Sequence, residues 1–189
     1  RDIIMNKKDD RYVFCSCSSI IPVKRLHLII DILSELNLQN VEWIHFGDGR
    51  LRSNIEAYAK EKIPNIRVKL SGKISNKEIL DFYSNNYIDL FLNVSESEGV
   101  PVAIMEALSA GIPVLATKVG GVLEAVPENV GFLIDKDFSA STAAEIIRSY
   151  LNLSPDLRKE FRLNAHEYWK NNFDALKNYT LFAQQLYNL

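Results

Sequence analysis

Glu98 and Glu106 stand in the run SEGVPVAIMEALSAGIPVLAT, residues 97–117, which reads as a strand end, a glycine turn and a helix closed by Gly111. With Pro101 near the first helical position, the Val102 and Ala103 amides lack partners inside the helix and project outward at the positive end of its dipole. A helix start of this kind suits an anion. Glu106 follows those two residues at helical spacing and so lies one turn up on their face, whereas Ile104, Met105, Leu108 and Ile112 give the helix an apolar stripe. An ionised carboxylate in so apolar a helix is costly to bury without donors. The adjacent hydroxyls of a ribose would supply two, and Glu98, just before the turn, could accept from sugar hydroxyls in the same way. Read singly, Glu106 is equally an exposed helix residue and Glu98 a solvated loop charge. The glycine turn between them is what joins them into a site.

The elements that must hold this site alternate along the chain. Residues 12–17 are short, apolar and β-rich, and Leu26, Ile29, Ile30, Leu33 and Leu36 follow at helical spacing. The alternation repeats as strand 41–46 and helix 51–62, then strand 66–71 and a helix from Asn76 with a Ser75/Glu78 capping box. It continues through strand 89–94, a helix up to Ala110, strand 113–116, a short helix before Pro127 and strand 131–134. Parallel strands joined by helical crossovers predict a doubly wound, Rossmann-like α/β sheet of about six strands, with the strand ending near Val94 central. Helices alone are expected from 142 to 189, with Ser154-Pro155 as a cap pair and Asp174 as a later cap. Ligands of such sheets bind beyond the carboxyl ends of the strands, where the 97–117 run begins its turn.

Composition narrows the setting. In 189 residues, 47% hydrophobic, one domain and one sizeable core are expected, with residues 1–10 as a polar lead-in. Lys and Arg number 22 against 24 Asp and Glu, so no broad basic surface offers itself to nucleic acid. Cys15 and Cys17 are too close in a strand for an unstrained bond and are expected as reduced, buried thiols. No apolar stretch approaches the roughly 20 residues that span a bilayer, and nothing at the start reads as a signal peptide, so a cytoplasmic setting is expected.

The spacing Glu98-x7-Glu106 within EGVPVAIMEALSAGIPVLAT, with Gly120, Gly121 and Glu124 after it, closely resembles the retaining glycosyltransferases of family 4, glycosyl transferases group 1. The match runs from Ser18 to about Leu133. It implies one lobe of the two-lobed GT-B fold, the nucleotide-sugar lobe, with the acceptor-binding N-terminal lobe expected ahead of Arg1 and residues 1–10 as the interdomain linker. It implies that Glu98 contacts the donor sugar and Glu106 holds the ribose diol, while backbone at Gly99, Val100, Pro101, Val102 and Ala103 receives phosphate or sugar oxygens. Lys24, in IIPVKR, matches the family lysine that neutralises the diphosphate, so Glu98 and Lys24 are the expected catalytic pair. Gly47 and Gly49, in the GDG loop, match the turn that passes near the donor, and Lys73 and Ile74 fall where the base is read. The family carries an Arg five residues before the lysine, where this chain has Ser19. Arg25 is a candidate replacement, although a neighbour in a helix points about 100° away.

The resemblance further implies a nucleotide diphosphate sugar as substrate, no cofactor and no metal, and a saccharide or lipid-linked acceptor reached through the other lobe. Peripheral membrane association and a place in polysaccharide biosynthesis are compatible with it. The alternative is a non-catalytic nucleotide-binding α/β module. The GDGRLR run lacks the third glycine of a dinucleotide fingerprint, and Asp135-Lys136-Asp137 reads as a solvated turn, without the acidic support a metal would need. His27, His45 and His166 lie on separate elements and form no evident cluster. Tyr168, Trp169, Phe173 and Phe182 are expected to leave an apolar patch for the other lobe to cover.

Overall fold

The computed structural model describes residues 3–175, 177–180 and 184. Six strands, β1 (Tyr12–Cys17), β2 (Val41–Phe46), β3 (Arg67–Leu70), β4 (Leu90–Asn93), β5 (Val114–Thr117) and β6 (Gly131–Ile134), form one sheet in the order β3-β2-β1-β4-β5-β6. Every ladder is parallel. The crossovers carry α1 (Leu26–Leu36), α2 (Arg52–Lys62), α3 (Asn76–Asn85), α4 (Val102–Ser109) and α5 (Val122–Ala125), and α6 (Ala140–Leu151) and α7 (Pro155–Asn172) follow.

Side-chain alternation in the central strands explains why both faces are covered. Phe14, Leu90, Leu92 and Leu115 face one core with α1, α2 and α6, whereas Cys15, Phe91, Val114 and Ala116 face a second with α3, α4, α5 and α7. A strand apolar on both faces can sit only between two layers of helix. The caps read in the sequence are made: Ser75 and Glu78 form the capping box, and Ser154 accepts from the Leu157 amide ahead of Pro155. After Asp174 the backbone turns helical again, the Asn178 amide donating to the Asp174 carbonyl.

Two expectations change. Tyr168, Trp169 and Phe173 form no exposed patch, because they pack, partly buried, against the α4/α5 core, where the Tyr168 hydroxyl donates to the Glu124 carbonyl at 2.5 Å. Phe182 lies outside the described residues. The large apolar side chains that do face solvent include Val100, Val102 and Leu123, with Leu157 and Leu163 on α7. Of the two thiols only Cys15 is fully buried; Cys17 is partly open, and burial pushes its pKa up to about 11. Residues 3–10 are held to the domain by Arg162, whose Nε donates to the Ile4 carbonyl, and by a 3.0 Å ion pair between Lys7 and buried Asp89.

Candidate active site

The strand order reverses direction between β1 and β4, which pair through Phe14↔Leu90 and Cys15↔Phe91. Crossovers leave to opposite sides at such a point and open a crevice beyond the strand ends. Lys24 follows β1 and Glu98 follows β4, so the two meet across it. Lys24 Nζ donates to Glu98 Oε1 at 2.7 Å. Ser95 Oγ (2.6 Å) and Asn93 Nδ2 (3.1 Å) donate to the same oxygen. Three donors converge on Oε1, and Oε2 remains for a further donor. Burial alone would push the Glu98 carboxyl up, but these bonds outweigh it and hold it below the usual range.

Lys24 lies ahead of the crossover helix α1. It ends a 3-10 turn, Pro22–Lys24, and Arg25 then takes left-handed backbone (φ 49°, ψ 39°) before α1 begins. The candidate replacement for the missing arginine therefore points elsewhere: Arg25 donates to the Val94, Ser95 and Lys136 carbonyls. Ser19 is exposed in the loop after β1, with its carbonyl accepting from Ile21 N–H.

The loop bearing Glu98 is seated by two glycines. Gly120 has φ 48°, and a Cβ there would come within 1.8 Å of the Glu98 carbonyl oxygen; Gly121 N–H donates to the Gly99 carbonyl at 3.2 Å. Gly99 itself has open space around its Cα, and Val100 and Val102 are exposed. Pro101 is buried and caps α4 from just outside it. The expected pair of free amides is reduced, because Val102 N–H donates to the Val100 carbonyl at 2.9 Å while Ile104 and Met105 both turn back to Pro101. Among the described residues, Ala103 is the first-turn amide without a backbone acceptor.

Glu106, half-buried on α4, accepts from Asn76 Nδ2 at the start of α3. Burial, opposed by that bond, pushes its carboxyl above the usual range. The GDG loop packs on the loop after β1: Ile20 N–H donates to Asp48 O at 2.9 Å, and a Cβ on Gly47 (φ 134°) would lie 1.9 Å from the Ser18 carbonyl oxygen. Lys73 is exposed just beyond β3, and Ile74 packs on the α4/α5 core. All the sequence-picked residues thus lie at one end of the sheet, and among the described residues Lys24 and Glu98 are the two of them whose side chains hydrogen-bond each other. Their surface is open. The hollow behind Lys24, lined by Ser16, Cys17, Asn93 and Ser95, holds about 10 Å³, whereas larger ones lie off the site, such as that of about 240 Å³ around Lys7, Arg11, Glu42 and Tyr87.

Sequence reasoning missed Asn93, Ser95 and Asn76, the donors that grip the two glutamates, and His45. The polar spelling NVSESE, beginning at the last residue of β4, is the available signal for the first two. His45 sits in a buried relay at the ends of β1 and β2: Trp43 Nε1 donates to Ser16 Oγ at 2.9 Å, which pairs with His45 Nδ1 at 2.8 Å. A carbonyl only accepts, so His45 Nε2–H donates to the Ser18 carbonyl at 3.0 Å, and in the neutral ring Nδ1 then accepts the Ser16 hydroxyl proton. Burial depresses the His45 pKa to about 4, and the ring is neutral. Among the described residues no group of three or more His, Cys, Asp or Glu is placed to hold a metal ion. Asp135, of the DKD run, instead pairs with Lys118 at 3.2 Å.

Sheet order, a crevice at the reversal and a cation–carboxylate pair inside it define a doubly wound, Rossmann-like α/β domain with a polar site beyond its strand ends. The chain belongs to the family Glycosyl transferases group 1, whose model matches residues 3–168. It is 30% identical over 131 residues to a component of human phosphatidylinositol N-acetylglucosaminyltransferase, a match covering 68% of this chain and 27% of that protein. It is 27% identical over 171 residues to an uncharacterized glycosyltransferase of Methanocaldococcus jannaschii, covering 90% and 46% respectively. The chain thus spans less than half the length of these relatives. In fold it is similar to Anabaena Alr3699/HepE in complex with UDP-glucose (TM-score 0.78, 24% identity, 95% of this chain and 50% of that one). It is similar too to the C-terminal domain of a glycosyl transferase group 1 family protein of Francisella tularensis (TM-score 0.73, 18% identity, 87% of both chains). No helix among the described residues is long and apolar enough to cross a membrane.

Proposed function

We propose that this chain is the donor-binding half of a retaining glycosyltransferase, a single domain over residues 1–189 that holds a nucleotide diphosphate sugar while an N-terminal lobe presents a saccharide or lipid-linked acceptor. The observation that carries the reading is the 2.7 Å Lys24–Glu98 pair in the crevice between β1 and β4. A diphosphate would draw Lys24 away from Glu98, and Glu98 would then turn to the sugar hydroxyls. Ala103 N–H at the start of α4 offers the phosphate a second partner, and Glu106 the ribose diol an acceptor. Negative charge grows on the leaving diphosphate as the sugar–phosphate bond breaks, so Lys24 and the helix start act most strongly in the transition state. This assigns no role to a metal or other cofactor.

Binding to a UDP-sugar by the Anabaena relative supports a nucleotide-sugar donor. The human relative's name, which includes phosphatidylinositol, supports a lipid-linked acceptor and, with it, peripheral membrane contact. Residues 1–10 would serve as the interdomain linker, and the setting would be cytoplasmic. Titration of the chain with UDP-, GDP- and ADP-sugars, followed by amide shifts, tests the reading. Shifts at Lys24, Gly99, Ala103 and Glu106 support it. Shifts confined to other surfaces, or none with any donor, remove it and leave the α/β module without this activity.

A further inference from the structure

Arg25 adopts left-handed backbone (φ 49°, ψ 39°), a conformation in which a residue with a Cβ is disfavoured. It breaks the helix that Pro22–Lys24 and α1 would otherwise share, and the break redirects its side chain toward the ends of β4 and β6. There three guanidinium hydrogen bonds go to backbone, with the group also lying 5.9 Å from the centre of the Phe138 ring: Nε donates to Val94 O at 2.7 Å, one terminal nitrogen to Lys136 O at 2.9 Å and the other to Ser95 O at 3.4 Å. The Ser95 carbonyl is also held by Thr117 Oγ1 at 2.5 Å, and the Ser95 hydroxyl is one of the three donors on Glu98. A backbone bond from Glu96 N to Val23 O, 2.8 Å, joins the same two segments. One side chain therefore bridges the residue next to Lys24 to the residue that grips Glu98.

We infer that Arg25 is a positioning residue of the donor site: it fastens the turn bearing Lys24 to the loop bearing Glu98, so that both side chains stand at the crevice before the diphosphate arrives. This rests on the donor-site reading above. A planar fork suits the task, since its several N–H groups reach carbonyls from separate loops at once, which an ammonium cannot do in the same geometry. Its charge is turned from the crevice, so it does not substitute for the arginine whose place Ser19 occupies.

Three substitutions in the full chain, Arg25→Ala, Arg25→Lys and Arg25→Gly, separate positioning from backbone effects. The readouts are the melting temperature, calorimetric affinity for UDP, GDP and ADP, and the titration midpoint of the Glu98 carboxyl by carbon NMR. Arg25→Ala should lower affinity for the preferred diphosphate about tenfold, the scale of one charge-assisted contact drawn out of register. Arg25→Gly removes the Cβ from a left-handed position and should melt higher than Arg25→Ala while binding no better. Arg25→Lys should recover only part of the affinity, and the Glu98 midpoint should rise in Ala and Gly as its donors loosen. Wild-type affinity in Arg25→Gly, or a Glu98 midpoint unmoved in all three, overturns the inference. If the unaltered chain binds none of the three diphosphates, the donor-site reading fails, and the Glu98 midpoint still decides whether Arg25 holds the two side chains at the crevice.

Discussion

Gly120 backs directly onto the Glu98 carbonyl, so closely that a Cβ at position 120 would lie 1.8 Å from that oxygen. The contact ties the turn after β5 to the loop after β4, and the positive φ of 48° at Gly120 makes it possible. Glu98 is thus fixed from behind by backbone and from the front by Lys24, Ser95 and Asn93.

Gly120→Ala should destabilise the fold by about 2 kcal/mol or more, since it adds both left-handed strain and a collision that only loop movement relieves. Donor affinity should fall with it, because that movement displaces Glu98. Urea denaturation alongside donor titration measures both, and an alanine variant with wild-type stability and binding would contradict this seating of Glu98.

Glu106→Gln should leave the fold intact, since the amide can still accept from Asn76, but it replaces an ionised acceptor with a neutral one. Affinity for a nucleotide sugar should drop by roughly 1.5 to 3 kcal/mol. The loss should shrink for a donor analogue lacking ribose hydroxyls. Calorimetry with the two ligands reads the difference, and equal losses would detach Glu106 from the diol.

Legibility differed between fold and site for a physical reason. Strands such as β2 and β6 and the caps at Ser75 and Ser154 follow from periodicity and from side chains bonding within a few residues, both local properties that the sequence displays. Glu98, Glu106, Lys24 and the glycine turns stand out as candidates because their spacing matches a family pattern. The grip on Glu98 was legible only as a polar run, and Asn76 appeared only as a helix-start residue, because their partners are set by packing across elements. The role of Arg25 stays open in the sequence, which says only that a neighbour of Lys24 points away from it, because a left-handed arginine is decided by carbonyls from the end of β4 and the loop after β6. The aromatics of α7 were misplaced for a related reason: an amphipathic helix shows that it has an apolar face, not whether that face meets α4 or open water.

His45 gives the domain a pH signature. Its pKa is about 4 when folded, against 6.5 for a free imidazole, so the unfolded chain binds the proton more readily between those values. The neutral ring's contribution is complete above pH 6.5, is lost progressively as pH falls toward 4, and amounts to about 3 kcal/mol in total. His45→Gln should flatten this part of the stability curve relative to the parent chain, and the difference between the two isolates it from Asp89, whose burial raises its pKa and acts in the opposite direction. Denaturant midpoints at intervals from pH 4 to 7.5 give the curves; parallel curves would mean that His45 is not the source.

Lys24 should carry most of the side-chain charge offered to the diphosphate, since Ser19 has none and the guanidinium of Arg25 is occupied by three carbonyls. In the longest natural polypeptide that carries these residues, Lys24→Ala should reduce kcat/KM by about a hundredfold or more, because the charge it meets grows in the transition state. Lys24→Arg should restore only part, as a planar fork does not replace a compact ammonium. Removing Lys24 also deprives Glu98 of its 2.7 Å partner, so part of the loss could come from the altered carboxylate. Glu98→Gln and the double variant complete a cycle: effects that merely add would mean that the two act independently, whereas a double variant scarcely worse than Lys24→Ala would mean that they act as a unit. Ser19→Arg supplies the remaining comparison. If it raises turnover in the Lys24→Ala background, position 19 faces the phosphates; if Lys24→Ala alone leaves turnover unchanged, the diphosphate is held by other groups and the assignment of Lys24 is wrong.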